Sequence, residues 1–286
     1  VTISTPELTP GLYLVATPIG TASDITLRAL DILRHADVIA AEDTRNTRRL
    51  LDLFGIPLGD RPLLPYHDHN GAAQRPKLLA HIAAGRTVAY VSDAGTPLIA
   101  DPGYQLAQAV RDAGHPVTAA PGASALLAAL SVAGMPTDRF MFAGFLPNKG
   151  AARRSTLAEL GPVPATLVFF ESPKRLAATL RDMAEVFGPA REVAICRELT
   201  KRFEEVRRGP LGDMAGELAE VPAPKGEIVL VLGPPVAREV TDEVIDEALR
   251  TALATARVKD AAAQVAAELG LPRKTVYSRA LALSGK

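Results

Sequence analysis

The chain has 286 residues, enough for one large domain or two ordinary ones, and 48% of them are hydrophobic, which excludes wholesale disorder. Its 32 basic residues balance 32 acidic ones. That excludes a histone-like protein, or a basic tail whose main task is bulk binding of phosphate.

In chain order, short β-rich runs alternate with longer helical patterns. Leu12 to Ala16 reads as a strand ending in a Thr-Pro-x-Gly turn, and Asp24 to His35 as a helix with Asp24 as N-cap. Val38 to Ala41 is a strand and Thr44 to Phe54 a helix. A polar loop leads to a helix over Ala73 to Ala84 and a strand over Val88 to Val91. A helix over Pro102 to Ala113 and a short strand over Pro116 to Ala119 follow. This alternation predicts a mainly parallel sheet covered on both faces.

A second series opens at Pro121-Gly122, with a helix over Ala123 to Val132 and a strand over Phe140 to Phe145. Ala151 to Leu160 is helical, Thr166 to Phe170 a strand, and Pro173 to Phe187 a helix with proline in its tolerated first turn. Glu192 to Cys196, Phe203 to Gly209 and Glu227 to Leu232 read as strands, with a short helix before the last. This order predicts a mixed sheet, and the boundary between the two α/β subdomains, 11–120 and 121–235, falls near residue 120.

After Gly233-Pro234-Pro235 the composition shifts, and residues 240–286 are Ala-rich, periodic and helical. Arg250 to Lys286 holds seven basic and two acidic residues, a local charge of +5. Ala266, Gly270 and Val276 have helix-turn-helix spacing, with Gly270 in the turn and Lys274 to Leu283 as the second helix. The alternative is a small helical cap with solvated charges.

A single cysteine, Cys196, rules out an internal disulfide framework and an all-cysteine zinc cage. A reducing, cytosolic setting fits best. No apolar run approaches the ~18–20 residues that span a membrane. The N-terminus lacks the basic-then-apolar pattern of a signal peptide. His67 and His69 stand two apart in a loop with no third ligand at telling spacing, so a metal site is not expected.

The chemistry is expected at strand ends. Ser92-Asp93-Ala94-Gly95-Thr96-Pro97, with Ala100 to Gly103 after it, follows a strand. Small residues there let backbone N–H groups approach a ligand. A tight turn capped by Asp93 and Asp101 is the bland alternative. The spacing matches neither GxGxxG nor a P-loop. Thr17-Pro18-Ile19-Gly20 and Pro121-Gly122-Ala123-Ser124 fall on the same sheet edge, and three such turns suit a flat, weakly charged ligand. Glu42-Asp43-Thr44-Arg45 ends the second strand, with Arg48 and Arg49 close behind. Capping explains one acid but not the pairing of acids with an arginine cluster. Glu171 to Arg175 and Arg197 to Glu205 are dense in opposite charges, either as solvated loops or as a pocket that could hold a phosphate backbone and shift a pKa.

Seven motifs occur in one order: Leu14 to Gly20, Glu42 to Arg45, Ser92 to Pro97 with Asp101-Pro102-Gly103, Pro121 to Ala125, Gly144-Phe145-Leu146-Pro147, Glu171-Ser172-Pro173, and Arg197 to Lys201. Through them the chain closely resembles the 16S rRNA-methylating members of the tetrapyrrole methylase superfamily, densely over about residues 11–233 and more loosely in the tail. The resemblance implies two α/β subdomains with S-adenosylmethionine (SAM) between them, a homodimer, and methylation of the ribose 2′-hydroxyl of a cytidine in the decoding region of 16S rRNA. The substrate would be 16S rRNA or the assembled small subunit, with no membrane partner, in the cytoplasm. The tail resembles a helical RNA-docking domain. Thr21-Ala22 and Leu98 depart from the pattern; relatives often carry glycine at the latter position.

On this resemblance, Pro18, Ser92, Asp93, Ala94, Gly95, Ile99, Ala123 and Ser124 would hold SAM, largely through backbone groups. Arg45, Arg48, Arg175, Arg197, Lys274 and Arg279 would contact RNA. Asp43 or Glu171, ahead of Glu198, would take the hydroxyl proton, and Lys201 would polarise the hydroxyl or stabilise the alkoxide. A sulfonium donor needs no metal. Two other readings remain: a precorrin methyltransferase of the same fold, and a ligand-responsive DNA-binding regulator, which the helix-turn-helix spacing alone supports.

Overall fold

A computed structural model describes residues 7–100, 103–235, 241–269 and 271–284. The chain divides into two compact units, residues 1–235 and 236–286.

The first unit holds two five-stranded sheets. The first comprises β1 (Gly11–Val15), β2 (Val38–Ala41), β3 (Leu63–Pro65), β4 (Thr87–Val91) and β5 (Val117–Ala120), in the order β3-β2-β4-β1-β5, with every pairing parallel. Helices α1 (Leu27–His35), α2 (Thr44–Leu53), α3 (Gly71–Ala83) and α4 (Tyr104–Asp112) connect them.

The two-residue period of a strand sorts the apolar side chains. Tyr13, Val15, Ala89 and Val91 pack with Ile32 and Leu33 of α1 and Leu51 of α2. Leu12, Val88 and Tyr90 pack on the other face with Leu78 and Ile82 of α3 and Leu106 of α4. Burial on both faces is why these strands read as continuous apolar runs. Each fully buried leucine contributes about 1.5–3 kcal/mol.

The second sheet comprises β6 (Phe140–Phe145), β7 (Thr166–Glu171), β8 (Glu192–Arg197), β9 (Glu205–Pro210) and β10 (Ile228–Leu232). Its order is β6-β7-β10-β8-β9; β6 and β7 are parallel and the other pairs antiparallel. Helices α6 (Gly150–Leu160), α7 (Leu176–Phe187) and α8 (Leu211–Ala219) pack on one face of it through Leu157, Leu180 and Leu211. α5 (Ala125–Val132) packs on the other, with Leu126 and Leu130 against Val168, Cys196 and Val229. The mainly parallel sheet followed by a mixed one is thus the fold that the alternation of elements predicts.

Local chemistry moved several boundaries. Asp24 ends a short 3-10 turn, and Thr26 caps α1 instead, accepting the Ala29 N–H at 3.1 Å. Pro173 lies in the turn before α7, not in its first turn. β3 was not foreseen: three residues carry no period, and only pairing with β2 makes them a strand. Asp101 and Pro102 lie outside the described residues.

The second unit holds α9 (Asp242–Leu253), α10 (Val258–Leu269) and α11 (Arg273–Leu283) around a core of Ile245, Leu249, Val265 and Val276 with small alanines between. The Gly270 turn lies outside the described residues.

Candidate active site

All five strands of the first sheet run parallel, so their carboxyl ends meet at one edge. The chain leaves β1 toward β2 on one side and leaves β4 toward β5 on the other, which opens a crevice at that edge. A cavity of about 400 Å³ lies there, between the two sheets. The first sheet supplies Ile19, Glu42 and the Asp93–Thr96 turn, with Ile99 and Ser124 beside them. The second supplies Phe145, Phe170 and Glu171, and across from them Cys196, Leu199 and Glu227.

The turns at the cavity edge are held by their own hydrogen bonds. Thr17 and Gly95 exchange two backbone bonds of 3.0 Å each. Ser92 is buried and donates to the Gly95 carbonyl at 3.0 Å, and Thr96 donates to the Ala123 carbonyl at 2.9 Å. Ser92 and Ala123 therefore help hold the wall together, while Asp93, Ala94, Gly95, Ile99 and Ser124 face the cavity. Pro18 and Ser92 face a second cavity of about 270 Å³ beside the first. Leu98 has φ 72°, a left-handed conformation that favours glycine.

Four carboxylates, Glu42, Asp93, Glu171 and Glu227, reach the main cavity, and among the described residues no basic side chain lines it. Burial pushes the Glu42 carboxyl above its ordinary range; the Asp93 N–H bond opposes this, and the carboxylates of Asp93 and Asp68 add to it. Glu171 is buried and fully engaged. It accepts the Ser172 N–H and the Thr179 hydroxyl, both at 2.6 Å, and pairs with Arg175 at 3.3 Å.

Asp43 does not line this cavity. It caps α2, accepting the Arg45 N–H at 2.8 Å, and its carboxylate is gripped by the Arg45 guanidinium at 2.6 Å. That pairing holds its pKa down at about 2, where a carboxylate is a poor base. Lys201 is likewise committed, donating to Glu198 at 2.9 Å and Glu227 at 2.6 Å. Burial alone would lower its pKa, but the two carboxylates raise it on balance.

The loop after β8 is built for that clamp. Glu198 and Thr200 take left-handed φ values of 52° and 64°. A side chain at Gly226 would put its Cβ 2.3 Å from the Glu198 carboxyl carbon, so only glycine fits. A Cβ at Gly20 would lie 2.5 Å from Lys201 Cγ. Thr21 N–H donates to the Thr200 hydroxyl at 3.1 Å, tying the β1 turn to this loop.

The expected phosphate-binding arginines divide in two. Arg175 donates to Asn148 at 2.5 Å and to the Leu146 carbonyl at 2.7 Å, and Arg197 to Glu205 at 3.0 Å and the Lys225 carbonyl at 3.1 Å. Arg279 pairs with Asp242 at 2.7 Å and with Asp246, joining α11 to α9. These three hold the fold. Arg48, Arg49 and Lys274 are exposed and, among the described residues, make no ion pair; Arg45 pairs only with Asp43.

Reading the sequence alone left Glu42, Glu227, Phe145 and Phe170 without roles at the cavity. Glu42 had a signal, since it stands directly after β2 at the carboxyl edge of the parallel sheet. Glu227 had none: nothing local marks it as facing Lys201.

The profile of the Tetrapyrrole (Corrin/Porphyrin) Methylases matches residues 11–215, and the chain belongs to this family. The profile of the RsmI C-terminal HTH domain matches residues 239–284. The ribosomal RNA small subunit methyltransferase I of Mesorhizobium japonicum is 49% identical over 96% of this chain and 93% of that relative. Among solved structures, uroporphyrin-III-C-methyltransferase from Thermus thermophilus superposes with a TM-score of 0.55 at 27% identity, over 78% of this chain and 94% of that one. A further structure of Thermus thermophilus uroporphyrin-III C-methyl transferase, complexed with S-adenosyl homocysteine, has a TM-score of 0.53 at 22% identity, over 78% and 97%. At this identity and coverage, the chain belongs to the family of ribosomal RNA small subunit methyltransferase I.

Proposed function

We propose that the chain moves the methyl group of SAM to the ribose 2′-hydroxyl of a cytidine in the decoding region of 16S rRNA, in the cytoplasm and as a homodimer. One observation carries the cofactor: the apolar-walled cavity of about 400 Å³ holds the Glu42 and Asp93 carboxylates, which make no ion pair among the described residues, and no basic side chain lines it there. That suits one ligand bearing a sulfonium and an ammonium group, and would repel a pyrophosphate. S-adenosyl homocysteine in a neighbour's structure supports the same choice. The rRNA substrate rests on the likeness to small-subunit rRNA methyltransferases. The exposed Phe140 and Met141 on edge strand β6 leave apolar surface that a second copy would cover.

Glu42 and Asp93 would face the ligand's positive charge, while Ala94, Ile99, Ser124 and Phe170 would enclose its flat part. SAM supplies an activated methyl group. Glu42 is the group able to take the hydroxyl proton, because burial raises its pKa and so makes it a stronger base than an ordinary carboxylate, and among the described residues no cation pairs with its side chain. Glu171 positions the Ser172 turn rather than moving protons. Any alkoxide stabilisation by Lys201 would require it to leave Glu198 or Glu227.

The test is to incubate small ribosomal subunits from a strain lacking the modification with the protein and labelled SAM. Mass spectrometry of the digested RNA should find one 2′-O-methylated cytidine. A methylated base would overturn the ribose assignment. Label in a precorrin and none in RNA would place the chain with the tetrapyrrole enzymes by function as well as by fold.

A further inference from the structure

We propose that the second cavity seats the nucleotide to be methylated, with Arg49 holding its phosphate. This rests on the rRNA methyl-transfer reading above. One SAM would occupy the main cavity, so the acceptor must lie outside it yet in contact with it. The second cavity meets that condition, because Asp93 forms part of both walls. Asp93 is fixed at the partition: its carboxylate accepts the Asp43 N–H at 3.1 Å, and its own N–H donates to Glu42 at 3.2 Å. The acceptor hydroxyl would therefore arrive beside Asp93 and Glu42.

The lining matches a nucleotide. α2 presents Asn46, Arg49 and Leu53 to this cavity. They recur three and four residues apart, so they form one face of the helix. An amide can pair with a base edge, a guanidinium with a phosphate, and an exposed leucine with the flat of a ring or sugar. Arg49 makes no ion pair among the described residues, whereas Arg45 on the same helix is spent on Asp43. A volume of about 270 Å³ admits one nucleoside and not a base pair. The target must accordingly be unpaired or turned out of its helix, as is common where RNA is read in sequence.

Two variants test this in the full chain. Ala22 lines the second cavity, so Ala22→Phe should fill it and reduce methylation of small subunits at least tenfold, with SAM affinity by calorimetry unchanged. Arg49→Ala should raise KM for small subunits about tenfold with kcat held, and lower the slope of log KM against log salt by roughly 0.7–1. Arg49→Lys should recover most of the KM. If Ala22→Phe weakens SAM binding, or if both variants methylate like the unaltered protein, the placement is wrong. If the unaltered protein transfers no methyl group to rRNA, the functional reading itself fails and takes the placement with it.

Discussion

Two rims of the crevice carry similar densities of charge and use them in opposite ways. After β2, Asp43 and Arg45 neutralise one another at the helix start, and Glu42, Arg48 and Arg49 remain available. After β8, Arg197 is spent on Glu205, and Lys201 on Glu198 and Glu227. The first rim is built to meet a ligand. The second is built to hold a strained loop shut, with two residues at left-handed φ. Charge in a loop signals function only where the fold leaves it unpaired.

Glu42→Gln gives the largest expected effect. Methyl transfer should fall about 10²-fold or more, the usual cost of losing a general base. Stability should move the other way. The folded Glu42 carboxyl binds its proton more tightly than in the unfolded chain, so its ionisation costs stability as pH rises through that raised pKa. Above it, the uncharged glutamine should match or exceed the melting temperature of the unaltered protein. The rate should also lose its rise with pH in the variant. A variant that melts lower and still works would break the assignment.

Glu171→Ala comes next, acting on stability. It leaves Arg175 and the Thr179 hydroxyl without their buried acceptor, at a cost of about 3 kcal/mol. Thermal melting should drop by roughly 6–12 °C. Lys201→Ala removes a more exposed clamp and should cost about 1 kcal/mol, with methyl transfer lowered only a few-fold. A 10²-fold loss of kcat at unchanged melting temperature would instead make Lys201 catalytic and erase the contrast between the rims. Asp43→Asn is the mildest change. Asparagine still caps α2, so kcat within about threefold of the unaltered protein is expected. Loss of activity there would return Asp43 to the chemistry.

Much of the fold is legible in the sequence because it is local or periodic. The buried runs Val88 to Val91 and Ile228 to Leu232 declare themselves as strands, and Thr47 and Leu51, four apart, mark the inner face of α2. The site is less legible. Asp43 draws attention as an acid between a strand and three arginines, but the helix it caps consumes it. Glu42, one residue earlier in the same bend after β2, reaches the cavity instead. Arg175, Arg197 and Arg279 look like phosphate ligands until their partners, between 4 and 37 residues away, come into contact.

The sequence by itself determined the order of elements, the change from a parallel to a mixed sheet, and seven strand-end motifs in a family's order. These follow from side-chain period, from turn chemistry and from spacing, all of which are written along the chain. Only the tertiary structure decided which charged groups are free. That depends on pairings such as Lys201 with Glu227 and on the burial of Glu42 beside Asp93, and both exist only once distant strand ends share one crevice.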